Sequence, residues 1–372
     1  MSIHIDASRA LDVQPTGVNV YAREIIEHLP LTLPGAEIIL YAPEWLRSRA
    51  PEVFPELPVN CRWKFLRWPP KFLWTQIRLC ISWRVASWKK GEHVFFAPAH
   101  VAPFFSPCGT VITIHDIAFD VLPQAYSWHE RLFARILTRR TARRARVIFS
   151  PSEETKQQLV LRYSIPAQKI IVTPLALPCG VRVRAGADEI SRVRLKYGIT
   201  RPFLLTIGRV EYKKGTDIVL GVFEKLRRTG HDIDLVLVGK PGVGYGAIRA
   251  QIEASPARAW IRELGFTPEN DSAALYSMAS TYVVASRYEG FGINILEAFW
   301  HAAPVVALRA GSTAEVAGDG AALAHDAAEL EAAIDRVLTD PVERAALIQR
   351  GSARAADFSW EKTIGLMRPT FL

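Results

Sequence analysis

The sequence has 372 residues, 49% of them hydrophobic and 22% charged, which suits two globular domains and excludes gross disorder. The net charge of +9 is uneven: residues 1–175 hold 22 Lys and Arg against 14 Asp and Glu, and the remainder holds 24 against 23. The first half is therefore expected to meet something anionic, and nucleic acid, a phospholipid surface and a pyrophosphate-linked substrate all fit.

Residues Ile3–Asp6 read as a first strand with no basic stretch before an apolar run, so no secretory signal is expected. Gly17, in Pro15-Thr16-Gly17-Val18, follows at the start of a helix. Further strands are expected at Glu37–Tyr41, His93–Ala97, Val111–His115, Val147–Ser150 and Ile170–Thr173. The span Val94–His115 lacks Asp, Glu, Lys and Arg. Pro98, Pro103, Pro107 and Gly109 interrupt it, so it reads as two short strands and a loop rather than a membrane helix. Cys61, Cys80, Cys108 and Cys179 show no C-x-x-C spacing, and free thiols are expected rather than a zinc site.

Two basic stretches lie in this half. Arg62 to Lys90 contains no acid and interleaves Trp63, Trp68, Trp74, Trp83 and Trp88. Arg131 to Arg146 holds seven arginines and no acid. Arg131, Arg135, Arg139 and Arg143 recur every four residues, with Leu132, Phe133, Ile136 and Leu137 as an apolar side. Both stretches suit a monotopic contact with an anionic membrane surface, and equally a helix whose aromatics are core. His115-Asp116 follows directly on a strand, and a lone histidine there is more often structural than catalytic.

Pro174 to Arg201 has no clear period and marks a boundary. Beyond it, strands are expected at Phe203–Gly208, Leu235–Gly239, Ile261–Gly265, Tyr282–Ser286 and Val305–Leu308. Between the first two, Asp217–Arg228 reads as a helix with Ile218, Val219, Val222, Phe223 and Leu226 on one stripe. The alternation implies an α/β fold of two doubly wound domains, with ligand at the carboxyl ends of the strands in a deep cleft.

Gly208-Arg209-Val210-Glu211-Tyr212-Lys213-Lys214-Gly215 places two cations, Arg209 and Lys214, where strand gives way to loop. Such cations can offset the charge of a leaving diphosphate, although a basic surface turn is the plainer account of them alone. Ser286 to Ala298 runs strand end, glycine turn and helix start, which turns backbone amides toward a phosphate. Glu289 and Glu297 there can accept hydrogen bonds from sugar and ribose hydroxyls, or be two solvated glutamates. Asp232-Ile233-Asp234 spells the D-x-D pattern of metal-dependent enzymes, but it precedes its strand and so sits at the wrong end of the sheet.

In order along nearly the whole chain, these residues resemble glycosyltransferase family four, the retaining GT-B enzymes with two Rossmann-like domains. The resemblance rests on Gly17, His115-Asp116, Ser150-Pro151-Ser152, Gly208-Arg209 through Lys214-Gly215 and Glu289 to Glu297, then on Pro304-Val305-Val306, Glu315-Val316 and Phe358-Ser359-Trp360. It implies an acceptor domain over 1–175, a nucleotide-sugar donor domain over 176–357, and a segment 358–372 crossing back to the first. Arg209 and Lys214 would bind the donor diphosphate, with amides around Gly292, Asn294 and Ile295, beside Gly208. Glu297 would hold the ribose, Glu289 the transferred sugar, and His115 the region of its 6-hydroxyl. Gly17 would admit the phosphate or acceptor.

Asn294 stands where the family commonly has proline and Ala302 where it has glycine, which puts local backbone geometry in question. The resemblance further implies a hexosyltransferase needing no metal or cofactor, with GDP-mannose as first donor and a UDP-sugar as second. Its acceptor would be a polyprenyl-pyrophosphate-linked saccharide at the inner face of the plasma membrane. A sugar-nucleotide epimerase or a phosphorylase is the rival within the fold. A nucleic-acid-binding protein is the rival outside it, with no recognition module visible.

Overall fold

The computed structural model describes residues 2–12, 16–67, 74–84, 93–103, 109–178 and 180–372, with backbone alone at 76 and 82–84. It divides into two units. The first comprises Met1–Asp120, Trp128–Leu175 and Ser359–Leu372; the second comprises Val121–Ser127 and Ala176–Phe358.

Among the described residues the first unit carries a parallel sheet of seven strands: β1 (Ser2–Asp6), β2 (Glu37–Pro43), β3 (Cys61–Leu66), β4 (His93–Ala97), β5 (Val111–Thr113), β6 (Val147–Ser150) and β7 (Ile170–Val172). Their order is β3-β2-β1-β4-β5-β6-β7. The second unit carries six: β8 (Phe203–Ile207), β9 (Asp234–Val238), β10 (Ile261–Gly265), β11 (Thr281–Val284), β12 (Val305–Leu308) and β13 (Ala321–Ala324), in the order β10-β9-β8-β11-β12-β13. Each order reverses once, between β1 and β4 and between β8 and β11. At such a switch point neighbouring loops leave on opposite faces and open a crevice at the strand ends.

Helices cover both faces of a parallel sheet, so its central strands are apolar throughout rather than alternating. All five residues of β9, Asp234-Leu235-Val236-Leu237-Val238, are buried. Helix Thr216–Arg228 packs on this sheet through Val219, Leu220, Val222, Phe223 and Leu226, with the expected Ile218 at the margin of the stripe.

Two strands were not foreseen. β3 pairs with β2 alone and reads Cys-Arg-Trp-Lys-Phe-Leu, an edge strand alternating exposed basic and half-buried apolar side chains. β13 reads Ala-Ala-Leu-Ala, with too little β-branched character to stand out.

The last fourteen residues, Ser359–Leu372, pack within the first unit. Ser359 caps their helix by accepting from the Lys362 amide. Trp360 lies 6.0 Å from Tyr21 and from His28, and Phe371 sits against Phe96 and Phe149. Arg146 donates to the Thr370 carbonyl and Thr363 to that of Pro174. Among the described residues no helix is long and apolar enough to cross a membrane.

Candidate functional site

In the second unit a recess opens at the carboxyl ends of β8 and β11, lined by Gly208, Arg209, Lys214, Glu289, Gly292, Asn294 and Ile295 among others. The loop leaving β8 is pinned to the exit of β9, because Gly208 N donates to Val238 O and Val210 N to Lys240 O. It then closes on the exit of β11. At Gly215, with φ of 66°, a Cβ atom would stand 1.9 Å from the Ala285 carbonyl oxygen, so only glycine fits. Helix Thr216–Arg228 starts there, and Lys214 is directed into the recess by this turn. Arg209 is exposed at the rim, and no described residue accepts a hydrogen bond or ion pair from its guanidinium.

The loop leaving β11 is tied to the first by Arg287. Its guanidinium makes two 2.7 Å bonds to the Asp217 carboxylate, donates to the Tyr212 carbonyl and stacks 3.8 Å over the Tyr212 ring. Its backbone amide donates to Lys213 O. This clamp sets the distance between the two loops, and with it the meeting of Lys214 and Glu289. Lys214 Nζ stands 2.6 Å from Glu289 Oε1, which also accepts from Ser286 Oγ at 2.5 Å. The Glu289 carbonyl accepts from both the amide and the hydroxyl of Ser312. Glu289 is only 8% exposed. Burial alone would raise its carboxyl; the charges of Lys214 and Lys213 and the two hydrogen bonds outweigh it and hold the group below the usual carboxylate range. Oε1 is engaged twice, and Oε2 has no protein partner among the described residues.

Gly292, at φ of 86°, begins helix Ile293–Trp300, whose amino end faces the same recess. Glu297 lies one turn into that helix and is half-buried, accepting from Tyr276 OH at 3.0 Å. Burial pushes its carboxyl up to about 7; the Tyr276 hydroxyl draws it back and the neighbouring Glu269 charge adds to the rise. Asn294 donates to the β8 carbonyl of Ile207 at 3.3 Å and reaches Tyr276 OH at 3.5 Å. The residue in the usual proline position thus supplies a side-chain tie to the strand end. Ala302 adopts φ of 58° just past this helix, a left-handed conformation that explains why glycine is common there.

Gly208, Arg209, Lys214, Glu289, Gly292, Asn294 and Ile295 therefore meet around one recess, with Glu297 a turn behind it. Gly17 and His115 belong to the first unit. Gly17 opens helix Gly17–His28, and a Cβ there would meet nothing within 4 Å. His115 is half-buried, its ring edge-on to Tyr21 at 4.7 Å and its Nε2 donating to Pro98 O at 3.3 Å. Burial first, then the neighbouring His100, lower it to about 3, so the imidazole is neutral at physiological pH.

Asp232 and Asp234 lie at the amino end of β9. Asp232 pairs with Arg227 and Arg201, and buried Asp234 with Arg262 and Arg201. One group of side chains among the described residues, Glu24, Glu27 and His28, brings three potential metal ligands together, in the first unit. Asp217, Ser286, Arg287 and Tyr276 were not singled out in the sequence. Arg287 stands inside the Ser286–Ala298 motif, but its partner lies seventy positions away.

The basic stretches resolve unevenly. Trp68 and Trp88 lie outside the described residues, as does the side chain of Trp83. Trp74 is buried and donates to Asp6, and Trp63 stacks on Phe65, so these two are packing residues. Helix Trp128–Arg144 corrects the expected arginine row, because Arg135 lies 3.6 Å from Asp120 and Arg139 is half-buried. Of the expected apolar side only Leu137 is buried, while Leu132, Phe133 and Ile136 face solvent.

Residues 189–354 match the family described as Glycosyl transferases group 1, and residues 15–179 match Glycosyltransferase Family 4. O-antigen chain mannosyltransferase B of Escherichia coli is 27% identical over 370 residues, 96% of each chain. The GDP-mannose-dependent alpha-(1-6)-phosphatidylinositol monomannoside mannosyltransferase of Mycolicibacterium smegmatis is 26% identical, covering 93% of this chain and 91% of its own. Among solved structures, Anabaena HepE in complex with UDP and glucose superposes with a TM-score of 0.74 at 17% identity, over 100% of this chain and 99% of its own. WaaG, a glycosyltransferase involved in lipopolysaccharide biosynthesis, gives 0.69 at 15% identity, over 99% and 98%. The two sheets are thus those of the GT-B fold.

Proposed function

The chain belongs to glycosyltransferase family four and is a hexosyltransferase, and from that premise we propose that it moves mannose from GDP-mannose, with retention, onto a lipid-pyrophosphate-linked saccharide. The observation that carries this reading is the convergence of Arg209 and Lys214 on a recess backed by Glu289 and a helix amino end. A diphosphate seated there gains two cations and backbone amides as the bond from its oxygen to the sugar C1 breaks. The acceptor hydroxyl attacks C1 on the face the diphosphate leaves, and its proton passes to a departing phosphate oxygen. Lys214 is already held by Glu289, so it requires little reorganisation as charge develops.

Glu289 Oε2 accepts from the sugar hydroxyls, and Glu297 from the ribose diol. His115, neutral and donating from Nε2, leaves Nδ1 as an acceptor for the region of the 6-hydroxyl. Gly17 leaves room for the phosphate or acceptor. No step in this scheme requires a metal, because its charge stabilisation comes from Arg209, Lys214 and amides.

Mannose is supported by the names of the two full-length relatives, and the guanine nucleotide by that of the second. The second reading is a UDP-sugar, prompted by the UDP and UDP-glucose complexes of HepE. With an acceptor on a lipid carrier the enzyme would work at a membrane surface, for which we propose the inner face of the plasma membrane, where the basic first unit suits an anionic surface.

A melting-temperature panel with GDP, UDP and ADP tests the donor, since a ligand bound only by the folded state raises its stability by mass action. GDP is expected to give the largest rise. A larger rise with UDP transfers the assignment to the second reading, and no rise with any of the three removes the nucleotide site. Incubating donor without acceptor separates the rivals, because an epimerase would alter it unaided.

A further inference from the structure

Helix Trp128–Arg144 buries Leu137, Thr138, Thr141 and Ala142. On the opposite side Trp128 is 75% exposed, Leu132 50%, Phe133 61% and Ile136 56%. Trp128, Leu132 and Ile136 follow one another at four-residue steps, so they form a single ridge, with Phe133 beside it. Solvent-facing apolar residues scattered singly need no explanation, but four large ones on two adjacent turns do.

The same face changes character toward the carboxyl end, where Arg140, Arg143 and Arg144 are exposed. Lys169 adds a cation there by donating to the Arg143 carbonyl. Asp120 faces Arg135, and the sequence from Arg131 to Arg146 holds seven arginines and no acid.

We propose that the outward face of this helix inserts shallowly into an anionic lipid bilayer. Trp128, Leu132, Phe133 and Ile136 enter the boundary between headgroups and acyl chains, and the later arginines engage lipid phosphates. The helix has 17 residues, too short and too basic to span a bilayer, and its apolar ridge beside basic turns is the composition of an interfacial helix. Charge complementarity favours lipid over a second copy of this chain, because two such faces would bring the arginine-rich turns against each other or against the apolar ridge. Tryptophan at the amino end fits, since its ring is apolar and its N–H can stay at the wet headgroup level. The inference rests on the lipid-linked acceptor reading only for why a membrane should be near. It replaces the arginine row with an apolar ridge as the main element of contact.

The test is co-sedimentation of the full chain with phosphatidylcholine vesicles, with and without phosphatidylglycerol, in the absence of donor and acceptor. Wild type is expected to bind the anionic vesicles, less tightly as salt rises. The triple variant L132S/F133S/I136S and the triple variant R140Q/R143Q/R144Q should each lose about tenfold or more in partitioning, a change of about 1.4 kcal/mol. Phe133→Glu alone, at an exposed position, should do the same if either triple variant melts early. The melting shift produced by GDP or UDP should be unchanged in all three, so failure of the membrane contact stays distinct from failure of the donor assignment. Undiminished vesicle binding by the apolar variant would overturn the proposal. So would a wild-type dimer in sedimentation equilibrium that ignores vesicles and dissociates on the same substitutions.

Discussion

Arg209 and Lys214 share a proposed role but not an environment, and their substitutions should differ. Arg209 is exposed and has no protein partner among the described residues. Its replacement by alanine should lower turnover by about 10²–10³-fold while moving stability by less than about 0.5 kcal/mol. Lys214→Ala should lower turnover similarly, but it also strips the counterion from a buried Glu289. A loss of about 1–3 kcal/mol in unfolding free energy is expected, with Lys214 partly exposed and the penalty reduced accordingly. Turnover and urea titration on both variants check the contrast; equal stability would mean the ion pair contributes nothing.

Glu297 makes a pH-dependent prediction. Its carboxyl titrates near 7 in the free protein, and a ribose diol favours the ionised form. Affinity for the nucleoside diphosphate should therefore rise by about tenfold between pH 6 and pH 8 through this group alone. In stability the sign is opposite: a carboxyl raised on folding contributes fully at pH values below its unfolded pKa, and that contribution is lost as pH rises through 7. Calorimetric titration of wild type and Glu297→Gln at both pH values separates this from the ligand's own phosphate ionisation. An identical pH dependence in the variant would refute the assignment.

At the scale of elements, helix Ile293–Trp300 and the turn just past it carry the two departures from the family pattern, and each has a physical outcome. Asn294 is accommodated by its ties to Ile207 and Tyr276. Ala302 holds a left-handed φ of 58°, which costs an L-residue about 1–2 kcal/mol. Part of that gain is returned when glycine loosens the unfolded chain, so Ala302→Gly should stabilise the protein by about 0.5–1 kcal/mol. Chemical denaturation reads this directly, and a destabilised variant would mean the conformation is not strained. The core strands were legible because a parallel sheet buries both faces and leaves unbroken apolar runs such as Leu235–Val238. β3 and β13 were not, since an edge strand alternates and an alanine-rich one carries no β signal. In the site, residues tied to local motifs could be read, whereas the Arg287–Asp217 clamp depends on a contact between loops far apart in sequence. Helix Trp128–Arg144 misled for another reason: periodicity locates an apolar ridge but does not say which side of a helix is covered.

Over the whole molecule, two sheets with one order reversal each account for why the chemistry collects at strand ends. They also explain why Asp232 and Asp234, at the amino end of β9 and paired with arginines, are poorly placed to hold a metal for it. The proposed scheme is then a metal-free transfer driven by Arg209, Lys214 and backbone amides. The measurement that addresses it most directly is transfer from GDP-mannose to lipid-linked saccharides in excess EDTA, with the anomeric configuration of the product read by NMR. The account predicts GDP release matched by an α-linked product, undiminished by EDTA and reduced about 10²-fold or more in Arg209→Ala. A β-linked product, or activity abolished by EDTA and restored by Mn²⁺, would contradict it.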